Sequence, residues 1–322
     1  MIEINTNNTQ IHSKFSYSGD FRKESDKELG YSIFPNSEIN ASLKVHVNSE
    51  EHFCYKDITY NSDYKGRRVS NEKNYNSTKH ALFFGCSFAF GVGLENNQTL
   101  PSVFQSKSSN TYKSYNYAQS GHCAAQMFIK LGKKENFDDI ILSRGCAIYL
   151  YIDGHLNRSS GLYEYLKWYP WYPIFAVNDK KLDGPFYWLS GNHRFQHKLK
   201  LRQMFDHTAS GRFINNKFLQ TCLNEEDSIW ANILLVEKCK ALYQSMFPNN
   251  PFIVLNWTRS GATGKSLDLF KKEYAKRGIH FFTPELIPDK DLSYLHKYDD
   301  HPSRHETKWV AQELQNYIDD LE

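Results

Sequence analysis

The chain of 322 residues lacks any window of about 18 apolar residues, so its sequence offers no membrane-crossing helix. Its first stretch, "MIEINTNNTQIHSKF", lacks the charged-then-apolar order of a secretory signal, and the expectation is a cytoplasmic protein. Cysteine is sparse and unpaired in spacing. Cys54, Cys86, Cys123, Cys146, Cys222 and Cys239 form no CxxC, which argues against a zinc site or a disulfide framework and leaves buried free thiols as the reading. A dominant charge is also missing: Lys+Arg 39 against Asp+Glu 36 gives +3, so no strong overall field selects nucleic acid or anionic lipid. The sequence shows no internal repeat and no low-complexity tract.

What is present is aromatic side chain, 15% of the chain with Tyr 21 and Phe 22, and a change of rhythm along its length. Residues 1–78 are polar, with alternating stretches such as "SLKVHV" and "FCYKDITYNSD" that read as antiparallel strands of a small β-rich extension. From 79 to 322, strand and helix patterns alternate. Strands are expected at Ala81 to Gly85, Ser114 to Ala118, Cys146 to Ile152, Phe252 to Asn256 and Ile279 to Phe282.

Helices are expected at Thr99 to Lys107, Ala124 to Lys133, from an Asp227 N-cap through "DSIWANILLVEKCKALYQSMF", at Lys265 to Arg277, and from Ser303 to near the chain end. Ser303 with Glu306 reads as a capping box. The fold implied is α/β, a three-layer α/β/α arrangement with a mostly parallel five-stranded sheet. Residues 158–226 break the rhythm as a loop-rich, aromatic insertion, too apolar for disorder.

The apolar run Ala81 to Phe84 ends in Gly85-Cys86-Ser87, which places Ser87 just past a strand's carboxyl end, the edge where open α/β sheets bind ligands. Three further stretches fall at strand ends: "NYAQSGHCAAQM" with Gly121, "YLYIDGHLNR" with Asp153, His155, Asn157 and Arg158, and "KYDDHPSRHETKWVA" with His301 between acids and the last helix. Together they offer a hydroxyl, a base, an orienting acid and amide donors, the parts for acyl transfer through a serine. Such chemistry needs neither metal nor cofactor.

In this order the blocks resemble the SGNH/GDSL hydrolase superfamily: "GCS" for the Gly-Asp-Ser block, Gly121 for the glycine block and "DDHP" for the Asp-x-x-His block. "ELGYSIFPN", "ITYNSDYKGRR" and "FFGCSFAFGVGLENNQTLP" resemble a bacterial subgroup with an amino-terminal β extension and Cys in place of the Asp. The resemblance implies a flavodoxin-like fold and a serine esterase in which Ser87 is the nucleophile, His301 the base and Asp299 the orienting acid. The Ser87 and Gly121 amides would donate to the oxyanion. The third block departs from the family's Gly-x-Asn-Asp, which puts His155, with Asn157 as fallback, in the place of the Asn donor.

Each residue also has a plainer reading. Ser87 also reads as a cap of the following turn, His301 as a cap of the last helix, His155 as a structural histidine paired with Asp153, and Arg158 as either an anion binder or a salt-bridge partner, with nucleophile and base preferred for the first two. Asp300 stands beside Asp299 as an alternative acid; Asp299 is preferred because adjacent side chains of an extended segment point to opposite sides. Trp168, Trp171, Tyr172 and Trp188 stack on sugar rings or form a satellite core. The expected partner is a small-molecule or glycan ester. The same residues fit O-acetyl transfer to a glycan, and the altered third block also fits a glycan-binding protein with a decayed site.

Overall fold

A computed structural model of the chain describes residues 4–6, 9–11, 14–18, 22–47, 50–70, 76–179, 181–190, 195–208, 210–211, 213, 221–258 and 264–321. Besides short strands at Ile4–Thr6, Thr9–Ile11, Arg22–Asp26 and Gly30–Ile33, its strands are β1 (Lys14–Ser18), β2 (Glu38–Val47), β3 (Glu50–Asn61), β4 (Lys79–Phe84), β5 (Tyr112–Asn116), β6 (Gly145–Tyr151), β7 (Ile174–Asn178), β8 (Lys181–Phe186), β9 (Phe252–Asn256), β10 (His280–Phe282), β11 (Tyr294–His296) and β12 (Asp299–Pro302). The helices are α1 (Ser87–Phe90), α2 (Leu100–Lys107), α3 (Ala124–Leu131), α4 (Gly154–Ser159), α5 (Tyr163–Trp168), α6 (Gln196–Phe205), α7 (Glu225–Met246), α8 (Gly264–Lys276) and α9 (Arg304–Asp319). A five-stranded sheet of order β10-β9-β6-β4-β5 makes the fold α/β as expected.

The chain separates into two compact units, the first formed by 1–22, 33–120 and 284–322 and the second by 23–32 and 121–283. In the first, β4 and β5 pair in parallel, Ala81 opposite Ser114. Residues Ala81 to Phe84 are at most 1% exposed, and Phe83 meets Phe104 of α2 edge to face. A strand covered on both faces reads as a continuous apolar run, which is why β4 shows no alternation. Helices α2 and α9 pack on each other. β1, β2 and β3 form an antiparallel sheet in which Ala41, Leu43, Val45 and Val47 turn inward at every second residue.

In the second unit β6, β9 and β10 are parallel, with Ile148 opposite Ile253 and Ile253 opposite His280. Every residue of β6 and β9 is buried. Helix α7 covers this core through Ala231, Ile233, Leu235, Val236, Cys239 and Tyr243 and packs on α3. Its N-cap is Asn224, whose side chain accepts from Asp227 N at 2.8 Å, so the expected cap at Asp227 moves three residues upstream. Asp227 becomes the third helical residue, an acid in the first turn.

Two other expectations change. Ser303 caps α9, accepting from His305 and Glu306 amides, but Glu306 does not reach back to complete a capping box. Its buried carboxylate instead accepts from Ile287 N at 3.2 Å and Ser293 Oγ at 3.3 Å, tying the preceding loop to the helix. The stretch 158–226 is less loop-like than its composition suggests. Its described residues hold α5, the antiparallel β7–β8 hairpin and α6, with Ile174, Phe175 and Ala176 at most 1% exposed. All six cysteines are free and buried. No helix among the described residues is long and apolar enough to cross a membrane.

Candidate active site

The turn from β4 into α1 exposes why the chain breaks into glycines there. Cys86 is extended, φ −103° and ψ −153°, and is fully buried, so the thiol is a core side chain. Ser87 opens α1, with Cys86 as the N-cap and no side-chain cap bond, so Ser87 does not act as a capping serine. Among the described residues the Ser87 hydroxyl has no hydrogen-bond partner.

A helix of four residues cannot hold itself, because nucleation costs more than one turn returns. Its carboxyl end is held instead by Arg68, a residue 1% exposed whose guanidinium donates to the carbonyls of Phe90 (2.9 Å), Gly91 and Leu94. The same group lies over the Tyr60 ring at 4.4 Å and the Phe90 ring at 4.8 Å, and burial lowers its pKa to about 10. Asn116 Nδ2 donates to Ala89 O at 3.0 Å. Gly91 ends the helix at φ +83°, where an added Cβ would fall 2.7 Å from Thr99 Cγ2, so only glycine fits.

In the same unit, the β11–β12 hairpin carries Asp299 and His301. Asp299 Oδ1 accepts from His301 Nδ1 at 2.5 Å and from the His301 backbone amide at 3.0 Å. The Asp299 side chain is 5% exposed and that of His301 26%, a buried acid under a half-open imidazole. Burial pushes the Asp299 carboxyl up, but the hydrogen bonds and charge of His301 outweigh it and hold the carboxyl below its ordinary value. Asp300 faces the exposed side of the strand, so Asp299 is the acid that meets the histidine, as the alternation argument expects. The cap of α9 is Ser303 and not His301. α1 packs on β12, and the Phe88 ring lies 5.7 Å from the His301 ring.

The remaining sequence-selected residues lie in the second unit. Gly121 has φ +80°, and a Cβ there would fall 2.9 Å from Tyr165 Cε1; its carbonyl accepts from the Tyr172 hydroxyl at 2.8 Å. His155 is fully buried, stacked on Tyr149 and edge-on to Tyr151. Its partner is the Tyr149 hydroxyl, 2.8 Å from Nδ1, rather than Asp153, which accepts from Thr258 Oγ1 at 3.3 Å.

The other ring nitrogen, Nε2, is buried and has no hydrogen-bond partner among the described residues. Burial, with the charge of Arg158, holds this imidazole well below its usual pKa and therefore neutral. Arg158 lies over the Tyr165 ring at 5.3 Å, and Asn157 is exposed. Of the insertion aromatics, Tyr172 is buried, Trp171 and Trp188 are half-buried against Tyr187 and Tyr163, and the Trp168 side chain lies outside the described residues.

Sequence reasoning passed over Arg68, Asn116 and Tyr149. The only signal for Arg68 was the pair of adjacent arginines in "KGRR", which is an ordinary surface pattern until the chain is folded. No described group of three or more His, Cys, Asp or Glu is arranged to hold a metal ion.

No protein-family model matches this chain, and no curated protein matches it in sequence. Similar solved structures are a carbohydrate acetylesterase from Sinorhizobium meliloti (11% identity, TM-score 0.40, 76% of this chain and 100% of that one) and a carbohydrate esterase family 2 enzyme with a carbohydrate-binding domain from Corynascus thermopiles (11% identity, TM-score 0.41, 87% and 76%). A third is a carbohydrate esterase described as having divergent catalytic and non-catalytic binding functions, at 10% identity and TM-score 0.45 over 95% of this chain and 97% of that one.

Proposed function

We propose that the chain is an SGNH-type serine esterase acting on an acyl ester, acetyl above all, of a carbohydrate. The observation that carries this reading is the Asp299–His301 pair, 2.5 Å apart, on a strand packed against the short helix that begins with the uncapped Ser87. In this reading Asp299 holds the His301 proton on Nδ1, which leaves Nε2 as the base. Ser87 Oγ attacks the ester carbonyl while His301 Nε2 takes its proton; the tetrahedral adduct collapses, and the same proton goes to the departing alcohol. Water then attacks the acyl-serine with the roles repeated, and the acid leaves.

For the oxyanion, the proposal takes the Ser87 amide and, from the sequence resemblance, Gly121 and His155. The neutral state of His155 and its unpartnered Nε2 support its role in place of an Asn, with the ring proton on Nε2 in this reading. Asn157 is the fallback, and Arg158 is kept as a substrate-binding candidate. Half-buried Trp171 and Trp188 support a sugar as the alcohol, because their rings offer apolar faces.

The test is turnover of an aryl acetate and of an acetylated sugar. Ser87→Ala should lower kcat by about a thousandfold or more without changing the melting temperature. Wild-type turnover in that variant sinks the proposal. Product analysis with an added sugar acceptor separates free acetate from acetyl transfer.

A further inference from the structure

Tyr172 is fully buried, so its ring is closed to a sugar and its hydroxyl acts inside the fold. The residue stands two positions before β7, where a turn brings its amide to Tyr169 O at 2.8 Å. A buried phenol needs a partner for its O–H. Here the hydroxyl donates to the Gly121 carbonyl at 2.8 Å and also lies 3.5 Å from Cys123 Sγ. One side chain of the aromatic insertion thus reaches both ends of the turn 121–123.

Other groups of the same unit tie down the rest of the turn. His122 Nε2 donates to Tyr31 O at 3.2 Å, and the two rings lie 4.9 Å apart. The Cys123 amide donates to Gln126 Oε1 at 3.0 Å, which starts α3. Gly121 itself is walled by tyrosines: an added Cβ would fall 2.4 Å from the Tyr31 hydroxyl and 2.9 Å from Tyr165 Cε1. Tyr172 is backed in turn by Gly30, whose added Cβ would fall 3.3 Å from Tyr172 Cα.

A glycine amide is a poor donor to rely on unless something holds it, because glycine visits φ of either sign with similar ease. Gly121 stands at φ +80°. Stabilisation of an oxyanion depends on donors that are aimed before the charge develops. Anchoring the Gly121 carbonyl fixes the plane of the peptide that follows it, which leaves the glycine one soft dihedral fewer. We propose that Tyr172 is a positioning residue, whose hydrogen bond to the Gly121 carbonyl keeps the Gly121 amide aimed as an oxyanion donor. This role rests on the serine-esterase reading above, in which Gly121 donates. Being fully buried, Tyr172 acts through the turn and not on the substrate.

The test is Tyr172→Phe, which removes one oxygen and keeps the ring. With an aryl acetate, kcat should fall about tenfold or more, part of the roughly 100-fold to 1,000-fold that a whole oxyanion donor is worth. KM should stay within about twofold, because the donor matters only once the charge has formed. A boronic acid, which binds a reactive serine as a tetrahedral anion, should lose affinity in step with kcat. Tyr243→Phe is the control, at a tyrosine equally buried on α7. It should keep kcat whatever stability it loses.

Far-UV circular dichroism and the melting temperature check that each variant folds; where Tyr172→Phe is not folded at the assay temperature, the comparison is made with sucrose added to every protein, since excluded osmolytes favour the folded state. An active wild type with kcat unchanged in Tyr172→Phe overturns the role of Tyr172 and leaves the esterase reading standing. So does a rise in KM alone, an unchanged boronic acid affinity, or an equal loss of kcat in Tyr243→Phe. A wild type with neither turnover nor an adduct on Ser87 removes the esterase reading, and the role of Tyr172 with it.

Discussion

Two adjacent carboxylates precede His301, and it is Asp299 whose carboxylate meets the imidazole. Asp299 is buried and bonded to both the ring and the amide of His301, whereas Asp300 is exposed on the other side of the strand. Removing the charge while keeping the shape isolates that role. Asp299→Asn should lower kcat by about a thousandfold or more, because an amide presents its own donor to Nδ1 and stabilises the wrong tautomer. Asp300→Asn should stay within about threefold of wild type, as expected for an exposed side chain. Equal loss in both variants, measured with an aryl acetate, would contradict the assignment. The preference for Asp299 over Asp300 rests on alternation along an extended segment, which needs no tertiary information. The partner of His155 was not legible in this way, because Tyr149 is reached only after β6 and α4 are folded together.

Elements follow the same division. The strands of the parallel sheet were visible in sequence as short apolar runs, and β9 falls at its expected residues because Phe252 to Asn256 is bounded by polar loops. The N-cap of α7 was misplaced because Asn224 and Asp227 are both good caps three residues apart, and only the formed Asn224 to Asp227 N bond separates them. Glu306 was misread because a first-turn Glu has a local and a tertiary use, and here the 287–293 loop claims it.

What holds α1 in place was not readable at all, since Arg68 stands 19 positions before Ser87 in a polar stretch. Arg68→Met leaves the buried carbonyls of Phe90, Gly91 and Leu94 without their donor. Unfolding by urea should then show a loss of about 3 kcal/mol or more, given about 1–3 kcal/mol per stranded buried group. A loss under about 1 kcal/mol would mean that the three bonds do not hold the turn.

At the scale of the whole molecule, buried titratable groups set the pH at which the chain is most stable. His122 is 2% exposed and His155 fully buried; burial first, with nearby cations, keeps both well below the ordinary histidine pKa. Below about pH 6.5 the unfolded chain takes up protons that the native rings refuse, so each histidine drains about 1.4 kcal/mol per pH unit of acidification. Burial likewise lowers Lys130 to about 7, so from there upward the unfolded chain again holds the extra proton and stability rises with pH.

The thiols act with the opposite sign. Cys54 and Cys222 are pushed up to about 12 by burial, while unfolded thiols ionise near about 8.5, so stability falls above that. The melting temperature should climb from pH 5 to about pH 8 and then turn over. A maximum near pH 5.5 in calorimetry would contradict these assignments. Composition at this scale points to a near-neutral chain without an electrostatic preference.

The central claim is that Ser87 is an activated serine. Labelling the folded protein with a fluorophosphonate, followed by mass spectrometry of the modified peptide, addresses it most directly, because phosphonylation needs both an activated oxygen and donors for the developing oxyanion. The account predicts a single adduct on Ser87, lost in Ser87→Ala; an unlabelled folded protein, or an adduct on another residue, would contradict it.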